Sequence, residues 1–102
     1  MNIEPSKAVP RARQPVTPPP MLFHGTATQF LPAILTQGLL PGARAHVHLA
    51  QHPQTAAVVG QRYGSGVVLT IHALRMYDQG FEFYQEENGF WLTARVPAGF
   101  IR

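Results

Sequence analysis

The 102-residue chain contains no cysteine, which excludes disulfide staples, thiolate catalysis and zinc sites built on sulfur. That absence suits a reducing compartment, and a cytoplasmic location is the expectation. Long hydrophobic runs are missing too. No window approaches the roughly 18 apolar residues of a membrane span, and the first residues have no apolar segment of signal-peptide type, so no membrane partner is expected. Charge is sparse at 13% of residues, with only five Asp and Glu. The net +3 does not mark a nucleic-acid stripe, because Lys7, Arg11 and Arg13 against Glu4 place two of the three excess charges in the first twenty residues.

Aromatic residues are absent from those twenty residues, which hold six of the ten prolines. Such a composition cannot build a core. Residues 1–20 are therefore predicted to be a basic, proline-rich tail, disordered or extended as a polyproline lead-in, ahead of a folded domain at 21–102. A domain of about eighty residues is near the lower limit for folding without staples, and a stabilising partner surface is within expectation.

Within that domain, Met21-Leu22-Phe23 reads as a short strand stopping at His24-Gly25-Thr26, where glycine permits positive φ or a close backbone approach. From Ala27 to Gln37, Phe30, Ile34 and Leu35 recur at helical spacing, Thr28 is a candidate cap, Pro32 fits a first turn and Gly38 a stop. A strand over His46 to Leu49 follows. The next helix runs from Pro53 to about Tyr63, halted at Gly64 and Gly66. Val67 to Ile71, nearly all apolar and β-branched, is predicted as the central strand, covered on both faces. Ala73 to Asp78 forms a helical turn or two, Phe81 to Tyr84 a strand, Glu86-Glu87-Asn88-Gly89 a hairpin turn, and Phe90 to Val96 the closing strand before Pro97. The fold class is α+β: a small mixed, mainly antiparallel sheet with short helices and no internal repeat.

His46 and His48 share one face of their strand while Val47 turns to the other, and two imidazoles on a core-facing surface call for a polar pocket. His-x-His is also a metal-ligand spacing, but no Glu or Cys follows at a useful interval and His52 falls on a loop, so no metal site is expected. Taken singly, His24 reads as a strand-end histidine, Arg44 as a solvated turn residue and Arg62 as a helix-end cation. Phe83, Tyr84, Phe90 and Trp91 read as core aromatics, and Glu86 and Glu87 as a solvated turn.

His24-Gly25-Thr26 after an apolar strand, Gly38-Leu39-Leu40, Arg44-Ala-His-Val-His-Leu-Ala, Val59-Gly60-Gln-Arg62-Tyr-Gly64, Val67-Val68-Leu69, Phe83-Tyr84 and Asn88-Gly89-Phe90-Trp91-Leu92-Thr93 before Val96-Pro97 occur in one order and spacing. From about Leu22 to Ile101 the chain thereby resembles the C-terminal lobe of the KptA family, the NAD-dependent RNA 2′-phosphotransferases, with an ADP-ribosyltransferase fold. The resemblance implies an enzyme of tRNA splicing with NAD as co-substrate and 2′-phosphorylated RNA or tRNA as partner. In the family the RNA 2′-phosphate attacks the anomeric carbon of the nicotinamide ribose and expels nicotinamide; the ribose 2″-hydroxyl then displaces the RNA, giving ADP-ribose 1″,2″-cyclic phosphate. By resemblance His24, Gly25, Thr26, His46, His48, Gly60 and Arg62 hold NAD, Gly25 through its backbone to the carboxamide. Arg44 meets the phosphate as the catalytic arginine. Phe90 stands where other ADP-ribosyltransferases carry a catalytic glutamate and this family a hydrophobic residue.

The sequence departs from the family pattern in several places. The family's N-terminal winged-helix lobe, with three of its four catalytic side chains, has no counterpart in residues 1–20. Ala50 stands where serine is usual, and Tyr63 where histidine is frequent. Three readings follow: a 2′-phosphotransferase lobe completed by a separate winged-helix lobe, an NAD or ADP-ribose binding module without turnover, and a free-standing ADP-ribosyltransferase acting on another nucleophile.

Overall fold

A computed structural model describes residues 14–62 and 64–102. The first strand, β1, spans Leu22–Ala27 and so runs through His24-Gly25-Thr26 rather than stopping there. A 3₁₀ turn at Thr28–Phe30 leads into helix α1, Leu31–Gln37. Pro32 lies in the first turn of α1, Gly38 closes it at φ 80°, and Thr28 makes no side-chain cap. Strand β2 is Val47–Leu49, helix α2 Pro53–Gln61, strand β3 Gly66–Ile71 and helix α3 Ala73–Asp78. Strand β4, Phe83–Gln85, and β5, Trp91–Thr93, form a hairpin, and a 3₁₀ turn at Ala98–Phe100 follows. The expected end of α2 at Tyr63 lies outside the described residues.

The α+β class holds, and every ladder is antiparallel. The strands divide into two small sheets, β1 with β3, and β2, β5 and β4 in that order. They meet at one rung: Phe23 N–H donates to Ala50 C=O (2.9 Å) and Ala50 N–H to Phe23 C=O (2.7 Å). The prediction of β3 as a central strand needs correction. Among the described residues its only ladder partner is β1; its other edge receives the C-terminal segment, with Arg102 N–H donating to Thr70 C=O (2.8 Å) and His72 N–H to Phe100 C=O (2.9 Å). The apolar run had its cause in α2, which packs over both β1 and β3, and not in two flanking strands.

Asn88-Gly89 turns the β4–β5 hairpin as read from the sequence. Gly89 has φ 91°, Glu86 N–H donates to Phe90 C=O (2.7 Å), and Asn88 Oδ1 accepts from Phe90 N–H (3.0 Å). One hairpin face carries Phe83, Trp91 and Thr93 into the core beside Leu22, Leu49, Ile71 and Met76. Each fully buried large apolar side chain contributes about 1.5–3 kcal/mol, so this shared core holds the two sheets together. Ile34 is the buried anchor of α1, with Leu31 packed partly buried against the same core; Phe30 and Leu35, expected on the same apolar stripe, are 43% and 57% exposed.

The predicted tail divides as well. Residues 1–13 lie outside the described residues. Val16 N–H donates to Phe83 C=O (2.7 Å), Pro20 C=O accepts from Leu74 N–H (3.3 Å) and Pro18 is buried, so the end of the lead-in packs on the folded domain.

Candidate functional site

Phe23 and Ala50 form a hydrogen-bonded antiparallel pair, so the next rung of that ladder would join Gly25 to His48. Among the described residues no such rung forms. The His24 ring takes its place, Nδ1 donating to the His48 carbonyl at 3.1 Å. Because strand residues two apart present their backbone groups on the same edge, Gly25 turns its N–H and C=O away from β3 into the opening between β1 and β2. A cleft of about 680 Å³ opens there, within the range of small-molecule sites.

Its walls come from distant stretches. β1 supplies His24, Gly25 and Thr26; β2 supplies His48 and its approach Arg44 and His46; α2 supplies Val59 and its C-cap Arg62; the hairpin turn supplies Glu86 and Phe90. Every residue that the family resemblance assigns to the site is therefore gathered on the cleft except Gly60, which does not line it. Gly60 lies under β1, where an added Cβ would stand 3.0 Å from Thr26 O, and its place is the seating of α2. Arg44 is held on a turn by its N–H bond to Pro41 C=O (3.1 Å), and Arg62 ends α2. Both guanidiniums belong to exposed residues and give the mouth of the cleft its positive charge.

The four core aromatics separate by face: Phe83 and Trp91 are buried, Tyr84 is half-buried, and Phe90 lines the cleft. His46 meets Tyr84 edge-on with ring centroids 5.9 Å apart. Glu86, read as a solvated turn residue, instead lines the cleft with Oε1 3.9 Å from His48 Nε2. The signal that would have found it is hairpin register. Phe83 opposite Thr93 and Gln85 opposite Trp91 put Glu86 opposite Phe90, on the same face as Tyr84, Leu92 and His48. Phe30, read from the sequence only as part of a helical stripe, also lines the cleft. Among the described residues, no group of three or more metal-ligating side chains is assembled.

Burial pushes the His24 pKa below its ordinary value; the bond to His48 C=O opposes that, and the neighbouring His48 ring adds to it. His24 is thus neutral at pH 7, with its proton on Nδ1 and Nε2 left as an acceptor. His46 is lowered by burial first and His48 second, with Glu86 opposing. In both cases the unfolded state binds a proton that the folded state resists, so stability should fall as pH drops below the ordinary histidine value of ~6.5. Thermal denaturation at pH 7.5 and 5.5 measures this. His24→Gln, which keeps a donor for the His48 carbonyl but does not titrate, should lose less stability on acidification than the wild type; an equal loss would contradict the assignment.

An α+β lobe whose cleft is lined by three histidines and two arginines has the makings of a binding domain for a polar, anionic small molecule. The chain belongs to the Tpt1/KptA family: the model for "RNA 2'-phosphotransferase, Tpt1 / KptA family" matches residues 2–95, including most of the proline-rich lead-in. It is 56% identical over 97 residues to a probable RNA 2′-phosphotransferase of Pseudomonas fluorescens, covering 95% of this chain and 53% of that protein. Proteins of the same description from Acaryochloris marina and Pseudomonas aeruginosa are each 54% identical, over 85% and 93% of this chain and 48% and 52% of their own lengths. The chain spans about half the length of the curated relatives it matches.

Proposed function

We propose that this chain is the NAD-binding lobe of an RNA 2′-phosphotransferase, transferring a 2′-phosphate from RNA or tRNA to NAD. The observation that carries the reading is the open rung at Gly25. A carboxamide has one C=O acceptor and an NH₂ donor side by side, the complement of the N–H and C=O that Gly25 turns into the cleft. Such a pair of bonds would dock a nicotinamide as a strand docks on an edge. His24 also lines the cleft, and its Nε2, an acceptor in the neutral ring, would take a hydrogen bond from the same ligand. Thr26, His46 and His48 line the same walls, Phe90 offers an apolar surface, and Arg62, an exposed cation on the cleft, would meet the pyrophosphate.

In this reading NAD supplies the anomeric carbon and the nicotinamide leaving group. The residues of this chain orient the ribose, and Arg44 holds the RNA 2′-phosphate through its planar fork of donors. One arginine is a thin phosphate clamp. A separate winged-helix lobe, packed beside the cleft, is the partner expected to complete it, and 1–20 and 21–102 remain the lead-in and catalytic lobe of the proposal. A cytoplasmic setting and a role in tRNA splicing belong to the same reading.

Calorimetric titration with NAD tests it. The wild type should bind, and His24→Ala should weaken binding by about tenfold or more, the worth of a hydrogen bond inside a partly desolvated site. Absence of NAD binding by a folded protein would sink the reading. NAD binding without nicotinamide release, even when 2′-phosphorylated RNA and a winged-helix lobe are added, would favour a binding module; release with another acceptor would favour a free-standing ADP-ribosyltransferase.

A further inference from the structure

His48 and Glu86 approach each other across the cleft without closing. Their 3.9 Å separation between Nε2 and Oε1 is too long for a hydrogen bond, yet each side chain is held, 34% and 29% exposed. The backbone around Glu86 is fixed by Glu86 N–H to Phe90 C=O (2.7 Å) and Gly89 N–H to Glu86 C=O (3.0 Å), while His48 sits in β2 with Leu92 opposite. Among the described residues, His48 Nδ1 is buried with no hydrogen-bond partner. A proton there would strand a buried donor, which costs more than leaving a lone pair unmatched, so the neutral ring carries its proton on Nε2, facing the cleft. A donor and a carboxylate acceptor therefore face each other at a spacing that one oxygen, about 2.8 Å from each, would span.

We propose that His48 and Glu86 form a donor–acceptor clamp for one sugar hydroxyl, accepting from His48 Nε2–H and donating to Glu86 Oε1, so that the cleft selects an unmodified ribose. The identity of the ribose ligand rests on the NAD reading; the clamp itself rests on the pair. A hydroxyl is the group that satisfies both sides at once. A phosphate or carboxylate would meet Glu86 with like charge, and a bare methylene would leave both sides unmatched. Glu86 is the sole carboxylate among the described residues of the cleft walls, so no neighbour would substitute for it.

The test is titration of the wild type and Glu86→Gln with NAD, with ADP-ribose, and with analogues of each lacking one ribose hydroxyl. The substitution keeps the side-chain shape, and circular dichroism checks the fold. Glu86→Gln should weaken NAD and ADP-ribose by about tenfold. One deoxy analogue should bind the wild type as weakly and be indifferent to the substitution, while the others keep the tenfold difference. Equal weakening of every analogue, or no change with NAD, would overturn the clamp. NAD binding that depends on His24 but ignores Glu86 would overturn the clamp and leave the NAD reading standing. Binding of ADP-ribose with the predicted coupling, but not of NAD, would do the reverse. A wild type that binds neither overturns both.

Discussion

Gly25→Ala should destabilise the protein by about 3 kcal/mol or more, the upper end of what overpacking costs. The Cβ it introduces would lie on the backbone of α2, with Ala56 O at 1.7 Å and Gly60 N at 2.8 Å. A flexible side chain could swing aside; a helix backbone packed on two strands cannot move without separating β1 from α2. Gly25 does not have positive φ, so the requirement is for close approach and not for an unusual backbone angle. Gly60→Ala is the internal comparison. Its Cβ would meet Thr26 O at 3.0 Å, a milder overlap, and alanine recovers up to about 1 kcal/mol of helix propensity, so the net loss should be about 1 kcal/mol or less. Urea unfolding of the three proteins checks both values. A Gly25→Ala midpoint equal to the wild type would show that α2 is not seated against this strand, and the open rung would lose its structural basis.

Arg44→Ala should abolish the preference for a 2′-phosphorylated oligoribonucleotide over the same oligonucleotide without the phosphate. A charge-assisted, bidentate contact to phosphate is worth about 1.5–3 kcal/mol, or roughly 10- to 150-fold in affinity. Arg44→Lys should restore only part of it, because a point charge does not reproduce the planar fork. The backbone turn that places Arg44 uses its main-chain N–H and should survive both changes, so unfolding midpoints should stay close to that of the wild type. Arg62→Ala separates the two cations: it should weaken NAD but leave the preference for the 2′-phosphate largely intact. If Arg44→Ala lowers affinity for both oligonucleotides by the same factor, Arg44 is a general electrostatic contact and not the phosphate ligand.

Much of the cleft was legible because its signals are local. His46 and His48 reach one wall by strand alternation, and Asn88-Gly89 sets the hairpin that brings Phe90 to another. Arg44 and Arg62 end up at the mouth, where turn and helix-end residues belong. Glu86 was misread because a turn carboxylate is usually solvated, and its facing depends on register carried past the end of the ladder. Phe30 and Leu35 were read only as members of a helical stripe with Ile34, and such spacing shows that residues share a face but not what covers it. β3 was placed centrally for a related reason: an apolar run reports burial, and here a helix and a C-terminal segment provide it in place of a second ladder.

What neighbouring residues encode was available before any coordinates: the α+β class, the helix stop at Gly38, the hairpin, the histidine pair, and the motif order that places the chain in its family. What needed the folded chain was every feature made by residues far apart in sequence. The His24 ring meets the carbonyl of His48, 24 positions on, and replaces the rung that Gly25 would have made. The backbone of Ala56 and Gly60 in α2 closes on Gly25 from a distant part of the chain. Whether a strand edge is paired or open is a property of two strands and whatever lies between them, so a pattern read along one strand carries no record of it.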